Sequence, residues 1–292
     1  MYKNIVTQTL RKPLFKTKGI SVDVLRLDLM HPVISGNKWF KLKYHLAEAI
    51  EQKKKGFITF GGAYSNHLVA TACASHENNL ESIGIIRGEE PSIPNMSIRQ
   101  MKHFGMQLMY VSREDYRKKD ALIEKFSKDY YLVPEGGQSL QGVHGASEIL
   151  DLTTDNYTHV VCPVGTGTTL AGLVQSARDN QQVIGISALK IASVNNEIEH
   201  FIQSIAGEKT FTIIYDYHFG GYAKKTDELI AFMNALYNEE NIPTDFVYTG
   251  KTFFAVHELA GDDFFSSGSR VLIIHTGGLQ GNLSLPKGTL VF

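Results

Sequence analysis

The residues able to do chemistry in this chain fall into four groups, each placed where a turn meets a regular element. The first is Ser35-Gly36-Asn37-Lys38-Trp39-Phe40-Lys41-Leu42, a glycine turn opening into a helical pattern over residues 40–54. The only tryptophan in the chain, Trp39, follows Lys38, and Phe40 comes next, so the Lys38 ammonium is expected in a partly desolvated pocket. Desolvation lowers a lysine's pKa, as a Schiff-base lysine or a lysine general base requires. The competing reading is a solvated lysine at a helix start. The second group is Phe60-Gly61-Gly62-Ala63-Tyr64-Ser65-Asn66-His67, a strand running through glycines into a helix. Unpaired N–H groups and the positive end of the helix dipole make such a junction a seat for a carboxylate or phosphate. Ser65 or Asn66 also serves there as an N-cap, and the two roles are compatible. His67 reads equally as a packed histidine and as a catalytic one.

The third group, Gly165-Thr166-Gly167-Thr168-Thr169, directly follows an apolar strand pattern over 158–164. Glycines permit close backbone approach, successive N–H groups form a concave nest, and threonine hydroxyls add donors, so the reading is a phosphate site. It is neither a Walker A loop nor a full GxGxxG, because Leu170 stands where the third glycine belongs. The fourth group gathers Gly220-Gly221-Tyr222-Ala223-Lys224, Val247-Tyr248-Thr249-Gly250-Lys251 and His275-Thr276-Gly277-Gly278, the last at the end of a strand pattern, on the ligand-facing side of an open α/β sheet. With 13 tyrosines in the chain, each one taken singly reads as structural.

The elements that must position these groups alternate from residue 56 onward. Strand patterns at 57–60, 82–87, 107–111, 130–133, 158–164, 183–188, 211–215 and 270–275 are separated by helical patterns near 40–54, 66–78, 94–104, 113–128, 141–152, 168–179, 194–205, 225–238 and 250–260. Such alternation is the signature of βαβ units. Several strands are apolar at nearly every position, as a parallel sheet covered on both faces requires. The fold class is therefore α/β, with parallel or mixed sheets flanked by helices. The run Glu51-Gln52-Lys53-Lys54-Lys55 reads as the solvated end of a helix, and 87–94 as a polar, proline-bearing loop.

Composition narrows the function classes. The 292 residues carry 29 Lys plus Arg against 30 Asp plus Glu, with 43% hydrophobic and 20% charged residues, which excludes a disordered chain and a strongly basic nucleic-acid binder. No apolar run approaches the roughly 18 residues of a membrane span, so no membrane partner is expected. The N-terminal stretch lacks a continuous apolar segment and a small-residue cleavage site, and is read as mature and cytoplasmic. Cys73 and Cys162 lie in apolar patterns and are read as buried free thiols, and without CxxC or HExxH no metal site is expected.

Taken in order, the motifs resemble the pyridoxal-phosphate enzymes of fold type II, specifically the group of 1-aminocyclopropane-1-carboxylate (ACC) deaminase and D-cysteine desulfhydrase, over nearly the whole chain. GNKWFKL matches that family's GNK-x-x-KL, Gly61 to Asn66 its G-G-x-x-S-N, Gly165 to Thr169 its phosphate loop, Gly220 to Ala223 its G-x-Y-[GA], and Val247 to Lys251 its P-V-Y-[TE]-G-K. The resemblance implies a tryptophan synthase β-subunit-like fold. Residues 1–40 plus 150–292 would form a large cofactor-binding domain, 41–149 a smaller inserted α/β domain, and the assembly a homodimer. It also implies roles. Lys38 carries pyridoxal 5'-phosphate and, once displaced, moves a proton at the substrate carbon. Asn66 bonds the cofactor's phenolic oxygen, and Gly165, Thr166, Gly167, Thr168 and Thr169 hold its phosphate. Ser65 binds the substrate carboxylate or acts as nucleophile or acid, within a substrate-facing run of Tyr64, Ser65, Asn66 and His67. Tyr222 and Tyr248 face the reacting atoms, and Thr249 sits at the pyridine nitrogen.

Thr249 decides between activities under this resemblance. The deaminases carry glutamate there and the desulfhydrases threonine, and His67 follows the desulfhydrases too. The family's usual Thr-Arg is replaced by Trp39-Phe40, a glutamine by Tyr64, and a Pro-Ala-Leu-Phe-like run by Leu279-Gln280-Gly281-Asn282. The expectation is a lyase or deaminase acting on a small amino acid, nearest to D-cysteine desulfhydrase. ACC deaminase is the alternative within the class, and a catalytically silent pyridoxal-phosphate or nucleotide-binding protein the alternative outside it.

Overall fold

The computed structural model describes residues 5–153 and 156–292. In chain order the strands are β1 (Thr7–Thr9), β2 (Ser21–Leu25), β3 (Gly56–Gly61), β4 (Glu81–Arg87), β5 (Gln107–Val111), β6 (Tyr130–Val133), β7 (His159–Val164), β8 (Gln182–Ser187), β9 (Thr212–Ile214) and β10 (Arg270–Ile274). The α-helices are α1 (Pro13–Thr17), α2 (Asn37–Glu51), α3 (Asn66–Glu77), α4 (Met96–His103), α5 (Lys119–Glu124), α6 (Leu140–Ser147), α7 (Thr168–Ser176), α8 (Ala192–Ala206), α9 (Asp227–Glu240) and α10 (Thr249–Gly261).

Among the described residues the strands form two sheets. One runs β1-β2-β10-β7-β8-β9 and the other β5-β4-β3-β6. Only β1 pairs antiparallel. Every residue of β3 and of β7 is buried, which is why both read as largely apolar runs, broken only by Thr59 in β3 and by His159 at the start of β7. Cys73 and Cys162 are buried and free.

Helix α2 belongs to both cores. Phe40 packs with Val143, Cys162 and Leu170 beside the larger sheet, while Leu42 and Ala49 pack with Phe57, Cys73 and Val133 beside the smaller. Its contact with α6 depends on a missing side chain, since a Cβ on Gly145 would fall 1.9 Å from the Phe40 carbonyl oxygen. The next layer repeats the device, with a Cβ on Gly172 of α7 reaching 2.6 Å from that of Ala146. Helices α2, α6 and α7 thus stack at glycine distances, and two of them begin at the reactive motifs.

The strands from residue 56 on fall within a residue or two of their sequence patterns, but three expectations need correction. Strands β1 and β2 and helix α1 lie in a segment with no predicted element. In β2 the polar Asp23 interrupts the apolar run, and it is buried with its Oδ2 accepting from the Tyr157 hydroxyl at 3.0 Å. The helix expected over 113–128 is reduced to a turn at Asp115–Arg117 and the six-residue α5, whose Leu122 and Ile123 are only partly buried against the core and give a long helix little support. Helix α2 starts at Asn37, three residues early, so Lys38 lies inside its first turn, and it ends at Glu51, short of the lysine run, with Lys53 left-handed (φ 53°).

Because Gly145 has no room for a methyl group, Gly145→Ala is expected to cost about 1–3 kcal/mol by overpacking. A thermal melt followed by circular dichroism checks this. An unchanged midpoint would show that α2 and α6 can separate freely.

Candidate active site

Gly36 sets the geometry at the start of α2. It is left-handed (φ 67°), and a Cβ there would meet the Thr276 carbonyl oxygen at 1.8 Å, so only glycine lets the helix start this close to the loop after β10. The Asn37 N–H donates to that same oxygen at 3.3 Å, and its side-chain amide donates to Thr169 Oγ1 at 2.7 Å. The lysine motif, the glycine–threonine loop and the β10 loop are thereby joined at one point. Asn66, first residue of α3, donates to the Gly278 carbonyl at 3.0 Å and brings in the second motif. A Cβ on Gly165 would lie 2.9 Å from the Tyr248 ring, which joins the third motif to the fourth.

Lys38 is half-buried, with Nζ 3.1 Å from Asn37 Oδ1. Burial lowers its pKa to about 8 and the charge of Asp245 opposes the fall, so roughly a tenth of it is neutral at pH 7, far more than of an ordinary lysine. Lys41, one turn on, is 4% exposed and donates to the Gly136 carbonyl at 3.1 Å. Burial and the neighbouring Lys38 hold its pKa well below the usual lysine range.

Asp245 is fully buried. Its Oδ1 accepts from the Thr249 N–H (2.9 Å) and hydroxyl (2.8 Å), and its Oδ2 from the N–H groups of Val247 (2.8 Å) and Tyr248 (2.9 Å). The Thr249 hydroxyl in turn accepts the Asp245 N–H at 2.8 Å. Burial still raises the Asp245 pKa above the ordinary aspartate value against these four bonds. Tyr248 and Tyr222 meet edge to face at 6.0 Å, and burial pushes both phenols up. Tyr222 keeps about half its surface exposed.

The turn between β3 and α3 puts its residues to three different uses. Ser65 caps α3, its hydroxyl oxygen accepting the Leu68 N–H at 3.2 Å, so its proton is free for a ligand. Tyr64 is exposed. His67 is turned into the helix–sheet interface, Nε2 at 2.8 Å from Thr59 Oγ1, and burial keeps it neutral, with a pKa well below the usual histidine value.

The sequence pattern described as "pyridoxal-phosphate dependent enzyme" matches residues 6–277. The chain belongs to this family. Its cofactor is pyridoxal 5'-phosphate. A Thermotoga maritima protein named for ACC deaminase is 30% identical over 92% of each chain. The mitochondrial bifunctional D-cysteine desulfhydrase/ACC deaminase of Arabidopsis thaliana is 30% identical over 90% of this chain and 73% of its own length. The crystal structure of an ACC deaminase homologue superposes with a TM-score of 0.83 at 28% identity, covering 96% of this chain and 91% of that one.

The residues fit the family's cofactor. Asn66 Oδ1 is buried without a partner, as an atom reserved for a bound polar group would be. Helix α7 starts at a left-handed Gly167 with no side-chain cap, leaving its first N–H groups to an anion. Thr166 and Thr168 hold their hydroxyls 3.1 Å apart in the same loop, and Lys41 lies close by, its Nζ on the carbonyl of Gly136, where a Cβ would meet the Thr166 methyl at 2.6 Å. Sequence reasoning passed over Lys41, though it stands in the quoted GNKWFKL, and over Asp245, which lies just upstream of the tyrosine motif.

One cluster outside the site does not make a metal centre. His31, Cys73 and Glu77 bring donor atoms within 4.8 Å of one another. His31 Nδ1, however, accepts the N–H groups of Val33 (3.1 Å) and Ile34 (2.9 Å). The ring proton is therefore on Nε2, directed at Glu77 Oε1 at 3.1 Å, and that nitrogen has no lone pair to give.

Since Asp245 raises the Lys38 pKa, Asp245→Asn is expected to shift the Lys38 titration below about 8. The pH dependence of acylation of Lys38 in the cofactor-free protein, followed by mass spectrometry, measures the midpoint. A midpoint that stays or rises would show that the two groups are not coupled.

Proposed function

We propose that this pyridoxal-phosphate enzyme is a lyase or deaminase of small amino acids whose preferred reaction is β-elimination from D-cysteine. The observation that carries the choice is Thr249: the position offers a neutral oxygen where a glutamate would offer a full charge. Loss of a stabilised thiolate asks less of the electron sink than opening a cyclopropane ring. The family match sets aside the nucleotide-binding alternative. ACC deaminase remains the second reading, favoured by the names of the relatives at about 30% identity.

In this reading bound pyridoxal phosphate supplies the electron sink for the pair left when the substrate's α-hydrogen departs. Lys38, with its lowered pKa, takes that proton as a general base. Ser65 and the first N–H groups of α3 hold the substrate carboxylate. Asn66 orients the ring through its phenolic oxygen, Lys41 and the Gly165–Thr169 loop hold the phosphate, and Thr249 meets the ring nitrogen. The Tyr222–Tyr248 pair, with both phenols kept protonated by burial, donates to the departing sulfur. The Cβ–S bond breaks with its electron pair going to sulfur, giving sulfide, and water then releases ammonia and pyruvate. Tyr64, the most exposed residue of its turn, and Gln280 border the substrate. His67 acts at one remove, by packing the start of α3 against β3. The distribution of strands between the two sheets supports domains of 1–40 plus 150–292 and of 41–149, and a homodimer belongs to the same reading.

Cofactor-loaded enzyme is expected to release pyruvate from D-cysteine and to release little 2-oxobutyrate from ACC. Lys38→Ala is expected to remove the cofactor's lysine-linked absorption band and to lower turnover by about 10²–10⁴-fold. Release of 2-oxobutyrate from ACC alone would overturn the choice based on Thr249 in favour of the second reading.

A further inference from the structure

We infer that Lys251 is a positioning residue that clamps the loop carrying Tyr222. The inference rests on the reading of Tyr222 as a substrate-facing acid. Lys251 is 1% exposed, and its Nζ donates to the carbonyls of His218 and Gly221, both at 2.8 Å. Those two carbonyls close consecutive turns: the His218 oxygen also accepts the Gly221 N–H at 2.9 Å, and the Gly221 oxygen the Lys224 N–H at 3.1 Å. One ammonium thus bridges both turns, and Tyr222 is the first residue inside the second.

The segment it holds is strained. Phe219 (φ 50°), Gly220 (φ 92°), Gly221 (φ 113°) and Ala223 (φ 53°) are all left-handed, and Phe219 and Ala223 carry the Cβ that makes this costly. Such a run persists only where surrounding structure enforces it. Helix α10 supplies the restraint. It places Lys251 on the two carbonyls and, one turn on, Phe254 edge to face with Phe219 at 5.0 Å. Tyr248 immediately precedes the same helix, so α10 sets both members of the tyrosine pair. The charge of Asp245 supports the Lys251 ammonium against burial. With Nζ committed to backbone carbonyls, Lys251 acts through Tyr222 and not on substrate.

The test uses full-length, cofactor-loaded enzyme and whichever of D-cysteine and ACC it turns over. Lys251→Met is expected to speed amide hydrogen exchange across 219–224 by about tenfold or more. It is also expected to lower kcat by about tenfold or more, with KM changed less than about threefold and the cofactor band retained. In a Tyr222→Phe background the same substitution should cost less than about threefold further, because the group it positions has gone. Unchanged exchange overturns the clamp, and so does an equal loss of kcat in both backgrounds. Full kcat in Tyr222→Phe alone instead brings down the reading of Tyr222, and exchange then judges the clamp separately. Should Lys251→Met fail to fold, Gly221→Ala disturbs the same turns with the lysine intact, its Cβ falling 3.3 Å from that of Lys190. It should reproduce the exchange and kcat pattern, and wild-type values overturn the proposal.

Discussion

A single buried carboxylate holds this site together. Asp245 satisfies four donors from Val247, Tyr248 and Thr249, and by doing so it fixes the start of α10, the direction of Tyr248 and the hydroxyl of Thr249. An unpaired carboxylate in that position would be expensive, and its bonds with N–H groups are what make a charge tolerable there. The same charge acts outward. It opposes the desolvation of both Lys38 and Lys251, which each stand at about 8 and not lower still. The two lysines therefore draw on one source, so the basicity of Lys38 and the hold of Lys251 on the His218 and Gly221 carbonyls are not independent features of the fold.

Around that charge, convergence depends on backbone approach. Gly36 lets α2 start against the Thr276 carbonyl, and Gly136 leaves space for Thr166, whose methyl a Cβ there would meet at 2.6 Å. His275 completes the frame, with Nε2 donating to the Pro243 carbonyl at 2.7 Å and Nδ1 accepting the Gly277 N–H at 3.2 Å, so it ties the segment before Asp245 to the loop after β10. Helix α2 spans both hydrophobic cores. A motion of one sheet relative to the other would be felt directly at Lys38, a connection that belongs to packing and not to any motif.

Legibility followed the physics of each element. Strands buried on both faces announced themselves as apolar runs, whereas β2, with a buried aspartate in its middle, did not. Glycine-bearing junctions were visible because close approach and left-handed backbone leave a compositional trace. Asp245 left little: three of its four donors are backbone N–H groups, which no spacing of side chains encodes, and only the Thr249 hydroxyl is a side chain. Lys251 was visible as part of a motif, but its two acceptors lie about 30 residues upstream in carbonyls whose identity is sequence-independent. For His67 the periodicity of α3 could not say which way the ring turns, and its bond to Thr59 settles that it faces β3.

The hydroxyl of Thr249 sharpens the chemical question that its identity raises. A hydroxyl has one proton and two lone pairs. The proton is given to Asp245 Oδ1 and one lone pair takes the Asp245 N–H, so a single lone pair is left. A ring nitrogen placed against this oxygen could be bonded only as N–H, since the threonine has no proton to donate to a bare nitrogen. Threonine at this position therefore differs from glutamate in how much negative charge it sets against that N–H, not in the direction of the hydrogen bond. The buried carboxylate stands behind the hydroxyl and polarises it toward acceptance. A threonine backed in this way would lie between a neutral residue and a glutamate in the negative charge it sets against a ring N–H.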